Sequence, residues 1–262
     1  MRPMTTPIFS TSELAQFQRD GYLIVRGLVA PDSFMPIKRL AQDHLAAKIA
    51  PLEYEAEVKY PGAPASLQAP GGRTIRRLLQ ACARDALFRD YATSPAIASR
   101  LQHLFGPETT VALSQSHHNC IMTKDPRYSS STHWHRDMRY WAFEKSELIS
   151  VWLALGREHL KNGCLLLLPG SHRLDFRSDQ LDSAQFLRAD LEENRALLRL
   201  QIAAELEPGD VLFFHCKLFH AASDNQSADT KFSLVFTYHA TSNLPLPGTR
   251  SAALPSIELP SP

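Results

Sequence analysis

After Pro107 the chain breaks into short runs of β-branched, leucine and aromatic residues separated by turn residues. The runs are TTVALSQSHHNCIMTK, ELISVWLAL, GCLLLLPGSH, GDVLFFHC and KFSLVFTYH. Runs of this length and composition read as strands. Short strands with few amphipathic helices between them bury their apolar faces against another sheet, so the chain is constrained to an antiparallel sandwich or barrel. The fold class expected is mainly β with flanking helices, with the β core over about residues 109–240. A chain of 262 residues suits one large domain with embellishments.

The segment before the core, residues 10–106, reads as a helix and strand prelude. Ser10 followed by Glu13 makes a capping box, and Gly21 stops the helix that begins there. YLIVRGLV reads as a strand, and Pro31-Asp32 opens a second helix with Phe34, Ile37, Leu40 and Leu45 at helical spacing. Residues 51–72 carry four prolines and three glycines and form a long loop able to lie over a site. Two further helical segments are expected, around Thr74 to Ala83 and Pro95 to Phe105. In the first of these, RTIRRLLQ presents Arg73, Arg76 and Arg77 as a solvated helix face. Residues 173–199 mix five arginines with six acidic residues and read as a charged insert, a kind of excursion that can border a pocket. The tail, 243–262, has five prolines in twenty residues and is expected to be extended or disordered. A single domain over 1–242 follows.

Charge excludes some partners. With 28 Lys+Arg against 27 Asp+Glu, no global field recruits nucleic acid or an anionic membrane, so a charged ligand must be held by local residues. Cys82, Cys120, Cys164 and Cys216 are scattered, form no C-x-x-C pair, and read as buried reduced thiols. The N-terminus lacks the apolar core of a signal peptide and no apolar run is long enough to span a bilayer, which points to the cytoplasm.

The chemistry concentrates in STHWHRDMRYW, Ser131 to Trp141. Residues two apart on a strand share a face, so His135 and Asp137 would present an imidazole and a carboxylate to one side of the wall. His220, where a strand runs into a turn, is the candidate third ligand. Two imidazoles and one carboxylate form the facial set of non-haem Fe(II), which leaves positions open for a co-substrate and oxygen. With 11 histidines and 14 aspartates, one H-x-D pair is no more than chance supplies, so the weight rests on its company. Eleven residues after His220 stands Lys231, with Ser233 on the same face. A cation and a hydroxyl beside an open iron site suit a dicarboxylate such as 2-oxoglutarate, which chelates at one end and takes charge-assisted hydrogen bonds at the other. His133 shares parity with the pair, but one strand cannot easily bring three such residues to one ion.

Taken in order, FQRDGYLIVRGLV, THWHRD, VWLALGREHLKNGCLLLLPGSHR and PGDVLFFHCKLFHAASDNQS make the chain resemble the phytanoyl-CoA dioxygenase family of Fe(II)/2-oxoglutarate-dependent oxygenases, over roughly Phe17 to His239. The resemblance implies a double-stranded β-helix, the cupin-like jelly-roll barrel, with His135, Asp137 and His220 on iron. It implies that 2-oxoglutarate and O2 are co-substrates, that succinate and CO2 are released, and that an unactivated C–H bond of a small-molecule or lipid- or sugar-linked substrate is hydroxylated. Asp137 is present, which favours hydroxylation over halogenation. Lys231 stands where the family has an arginine that anchors the distal carboxylate, supplying charge without the planar fork. Ala221-Ala222-Ser223 replaces the usual Gly-Ser. Trp152 resembles a position that packs near the co-substrate. For the substrate the candidates are Arg139, which could meet an acidic group, Tyr140 and His117, while Arg136 is expected to point away from the metal. A non-catalytic or 2-oxoglutarate-independent cupin-type metal protein, and a zinc hydrolase, are the other readings the donor set permits.

Overall fold

A computed structural model of the chain describes residues 8–58, 60 and 62–260; the first seven residues, on which the expectation of no leader partly rests, lie outside them. In chain order the elements are α1 (Thr11–Asp20), β1 (Tyr22–Val25), α2 (Pro31–Ala46), β2 (Leu52–Tyr54), β3 (Ile75–Leu79), α3 (Ala81–Arg84), α4 (Ala86–Ala92) and α5 (Pro95–Phe105). The β-rich half adds β4 (Val111–Lys124), β5 (Thr132–His135), β6 (Leu148–Ala154), β7 (Leu165–Leu167), α6 (Glu192–Leu198), β8 (Ile202–Ala204), β9 (Val211–His215), β10 (His220–Ala222), β11 (Lys231–Ala240) and β12 (Ile257–Glu258). Among the described residues all the strand pairs are antiparallel.

The strands form two sheets. The larger runs β1-β9-β6-β11-β4-β3-β2, with β12 added on β4, and the smaller runs β5-β10-β7-β8. The two sheets are not hydrogen-bonded into one closed barrel, so this jelly roll is a sandwich. One core lies between the large sheet and the helices, where Phe17, Phe34, Ile37, Phe88 and Leu101 meet Leu113, Val151, Phe213 and Tyr238. A second lies between the sheets, built from Trp152, Leu165, Leu167, Leu212, Phe214 and Val235. Every residue of β6 is buried, because one face serves each core. That explains why LISVWLA is apolar at every position but Ser150 rather than alternating.

Local signals match the ends of α1. The Ser10 side chain accepts from the Glu13 N–H while Glu13 accepts from the Ser10 N–H at 2.7 Å. Gly21 closes the helix at φ +80°. Pro31 sits at the start of α2, where its missing N–H costs nothing. The four cysteines are free and buried.

Two expectations fail. Residues 74–83 do not form one helix: Ile75–Leu79 is β3, which hydrogen-bonds to both β2 and β4, and only Ala81–Arg84 turns helical. Ile75, Leu78, Leu79 and Cys82 satisfy helical spacing, but strand pairing beside β4 wins because it also buries Arg76 and Arg77 against carboxylates. Arg76 and Arg77 are therefore not on a solvated face, while Arg73 is exposed. The proline-rich tail is also packed: Asn243 donates to the Lys145 carbonyl, Ser251 is buried and β12 pairs with β4. Prolines remove donors but leave carbonyls, and the Pro255 carbonyl accepts from Gln115 at 2.7 Å.

Gly21 tests the junction between α1 and the jelly roll. Its left-handed backbone disfavours a side chain by about 1–2 kcal/mol, and a Cβ there would run into the His172 ring. Gly21→Ala is expected to lower unfolding free energy by at least that amount in a urea titration.

Candidate metal centre and co-substrate cavity

The three donors come together because β10 pairs with β5 and places His220 opposite His135. Their ring centroids are 4.3 Å apart. Just past the end of β5 the chain turns into a short 3-10 helix, Asp137–Tyr140, which delivers Asp137 to the same point. The Asp137 Oδ1 lies 3.5 Å from His220 Nε2 and 3.9 Å from His135 Nε2. One donor atom from each residue falls within 4.8 Å of the others, and all three residues are buried.

The remaining atoms of the donors are held in place. His135 Nδ1 lies 2.8 Å from the His133 carbonyl and His220 Nδ1 lies 3.0 Å from the Leu218 carbonyl. Protonated on Nδ1, both rings aim an Nε2 lone pair at the centre, the arrangement that orients metal-binding imidazoles. Asp137 Oδ2 accepts from Ser150 Oγ at 3.3 Å and lies 3.5 Å from His118 Nδ1, leaving Oδ1 for an ion. Burial holds His135 down at about 3, against Asp137, so it is a neutral ligand. Burial alone would raise the Asp137 carboxyl, but His118, His220 and His135 outweigh it and keep it well below the usual carboxylate range. Burial lowers His220 too, but Asp137 outweighs it and raises that ring, so His135 offers neutral nitrogen and Asp137 ionised oxygen, while a divalent ion would displace the proton that Asp137 favours on His220.

Two cavities meet at the donors. The inner one, about 50 Å³, lies between the sheets, with Trp152, Lys124 and Lys231 on its wall. The outer one, about 380 Å³, is bounded by Arg77, Arg139, His117, Tyr140 and Phe186.

Trp152, Lys231 and Ser233, the residues expected to anchor the co-substrate, converge as expected, but on a carboxylate of the protein itself. Glu158 accepts from Lys231 Nζ at 3.0 Å, from Ser233 Oγ at 2.6 Å and from Trp152 Nε1 at 3.0 Å. Its backbone is clamped to Leu206 in both directions, at 2.7 and 2.9 Å. Of the substrate candidates, Arg139 lies on the 3-10 helix rather than on a continued strand. Its guanidinium sits 4.0 Å from the Phe186 ring centre and 4.6 Å from that of Tyr140. Its Nη1 is buried with no hydrogen-bond partner among the described residues. Tyr140 Oη is 3.2 Å from that of Tyr60, on the proline- and glycine-rich loop, which accordingly lies over the outer cavity. His117 Nε2 is 2.7 Å from Ser251 Oγ. Arg136 turns away onto Phe219, and His133 is exposed and outside the donor cluster.

The site also holds groups that no motif marked. Glu158 lies in an isolated β-bridge to Leu206, Lys124 sits on the inner face of β4, and Arg77 was hidden by the helical reading of its segment. Only Lys124 left a usable sign: it and Lys231 end strands that pair with each other. The charged insert reaches the site through Phe186.

Lys231 and Glu158 are 4% and 0% exposed at their side chains. Removing one partner of a buried pair strands the other charge at a cost of about 3–5 kcal/mol. Lys231→Met is expected to lose that much stability in thermal unfolding, and Glu158→Gln added to it should recover a large part.

A family model described as phytanoyl-CoA dioxygenase matches residues 17–233. A probable phytanoyl-CoA dioxygenase of Caenorhabditis elegans is 24% identical over 84% of this chain and 72% of its own length. The peroxisomal phytanoyl-CoA dioxygenase of Homo sapiens is 25% identical over 80% of this chain and 62% of its own, and an ectoine dioxygenase of Sphingopyxis alaskensis is 23% identical over 93% and 83%. Among solved structures, EctD from S. alaskensis with bound Fe superposes with a TM-score of 0.78 at 20% identity, covering 98% of this chain and 89% of that one. The epimerase SnoN in complex with Fe3+, alpha ketoglutarate and nogalamycin RO gives 0.71 at 20% identity, over 96% and 94%. Matched over most of its length and carrying the three donors in one buried cluster, the chain belongs to the phytanoyl-CoA dioxygenase family of Fe(II)/2-oxoglutarate-dependent oxygenases.

Proposed function

We propose that this chain hydroxylates an unactivated C–H bond of a small anionic molecule, with residues 1–242 as one oxygenase domain and 243–262 as its tail. The observation that carries the reading is the buried His135, Asp137 and His220 cluster, with its Nε2 lone pairs turned inward and a cavity on either side. These three residues would hold Fe(II). With 2-oxoglutarate and O2 bound, the iron supplies an oxidant strong enough to take hydrogen from carbon, with succinate and CO2 as the other products.

The residues of the chain contribute position and dryness. The His133 and Leu218 carbonyls hold the Nδ1 atoms of the two rings and so turn each Nε2 toward the place of the ion. Ser150 donates to the far oxygen of Asp137, with His118 Nδ1 3.5 Å from it. The inner cavity, with Trp152 and Lys231 on its wall, is the place for 2-oxoglutarate; its small volume and its position between the sheets keep out bulk water.

The outer cavity is the place for the substrate. Arg139 supports an anionic group there, because a buried guanidinium nitrogen without a partner is costly unless a ligand supplies one. Tyr140 and His117 line the same space, with Phe186 as an apolar wall. Small molecules are also what the names of the ectoine dioxygenases and the nogalamycin enzyme indicate for those proteins. No described helix is long and apolar enough to cross a membrane, in keeping with a cytoplasmic enzyme.

The test is Fe(II)- and O2-dependent release of succinate from 2-oxoglutarate. Asp137→Ala should reduce it by more than the ~10–100-fold that loss of an outer partner of a metal ligand costs. If the wild type neither turns over nor binds 2-oxoglutarate, the chain is instead a metal-binding jelly roll of another kind. A screen of candidate acids should find substrates whose KM rises in Arg139→Gln while succinate release without substrate is unchanged. Equal KM for acids and their neutral amides would remove the anionic reading.

A further inference from the structure

The inner cavity is surrounded by buried cations, and nearly all of them are matched. Lys231 pairs with Glu158 at 3.0 Å, Arg76 with Glu55 at 3.4 Å and Arg77 with Glu53 at 3.4 Å. Lys124 is the exception. It is 7% exposed, it borders the same cavity, and no carboxylate of the described residues lies within ion-pairing distance of it. Its Nζ donates to the Ser130 carbonyl at 3.0 Å and the Ser223 carbonyl at 2.5 Å. An ammonium has three hydrogens. Two neutral carbonyls therefore leave one donor and the whole charge unanswered.

We infer that Lys124, rather than Lys231, takes the distal carboxylate of 2-oxoglutarate. The inference rests on the dioxygenase reading above and assigns a cation within it. In the β4–β11 ladder Lys124 stands directly opposite Lys231. Directly opposed residues of an antiparallel pair project to the same face with their Cβ atoms about 5 Å apart. Both lysines therefore serve the same end of the cavity, and what separates them is their partners. Lys231, Ser233 and Trp152 already converge on Glu158, whose backbone is clamped to Leu206. A ligand carboxylate brought to Lys231 would share that cation with Glu158, and two carboxylates on one site repel. Brought to Lys124 it supplies the missing counter-charge and a charge-assisted hydrogen bond. Burial, with Arg76 and Lys231 nearby, pushes the Lys124 amine down to about 7, as expected for an ammonium that lacks a counter-ion.

The experiment is calorimetric titration of the Fe(II)-loaded protein under anaerobic conditions with two ligands. One is 2-oxoglutarate; the other is 2-oxobutyrate, which keeps the chelating 2-oxo acid and lacks the distal carboxylate. The wild type should prefer 2-oxoglutarate. Lys124→Met should weaken 2-oxoglutarate about 10- to 100-fold, the worth of a hydrogen bond to a charged group, and leave 2-oxobutyrate unchanged. Lys124→Gln, which keeps a donor for the two carbonyls, should lose the same preference and guards against a packing defect in the methionine variant. Wild-type 2-oxoglutarate affinity in both variants overturns the assignment, and so does an equal loss for both ligands, which would mark Lys124 as structural. A wild type that binds neither ligand overturns the dioxygenase reading itself.

Discussion

The pairing of β5 with β10 is the contact on which the function of this chain depends. It joins segments 85 positions apart, and it does so in the one register that sets His220 across from His135. A slip by one residue would send either imidazole to the opposite face. The register is kept by what surrounds it: β7 pairs on the other side of β10, and the apolar residues between the sheets accept only one alternation of sides. Asp137 needs less support from the sheet, because a 3-10 turn immediately after β5 carries it to the two rings.

Behind the metal donors, the interior is organised by charge as much as by apolar packing. Glu53, Glu55 and Glu158 each meet a cation of the large sheet, and serine and tryptophan donors add hydrogen bonds to the buried carboxylates of Glu55 and Glu158. Such pairs contribute little net stability over apolar replacements, yet they are costly to break singly. Their effect is to make the cavity walls polar, oriented and dry. Among the described residues they also leave Lys124 on the inner side without a counter-ion and Arg139 Nη1 on the outer side without a hydrogen-bond partner. In an enzyme that brings a dicarboxylate and a second molecule to one metal, unmatched groups of that kind are where ligands gain affinity.

Much of this was legible before folding. The strand runs after Pro107, the capping box at Ser10, the buried thiols and the three donors follow from patterns of period two, turn residues and ligand chemistry. The helix expected over 74–83 was not a careless reading: Ile75, Leu78, Leu79 and Cys82 do recur at helical spacing. It failed because β4, a distant segment, offered hydrogen bonds on one side and β2 offered hydrogen bonds on the other, with Glu53 and Glu55 beside the arginines, none of which a local pattern can contain. The tail misled for a related reason, since proline richness describes what a chain cannot donate and says nothing about the surface on which it lies.

Sequence alone determined the kind of fold, the candidate metal donors and the family, because these rest on residue types, on short-range periodicity and on the order of motifs. The three-dimensional structure alone decided the allegiance of each buried charge. Lys231 stands where an anchor belongs, yet it is committed to Glu158, while Lys124, unremarkable at the end of a strand, faces the cavity without a counter-ion. A charge is defined by its neighbours within a few ångströms, and those neighbours come from strands and turns that only folding brings together.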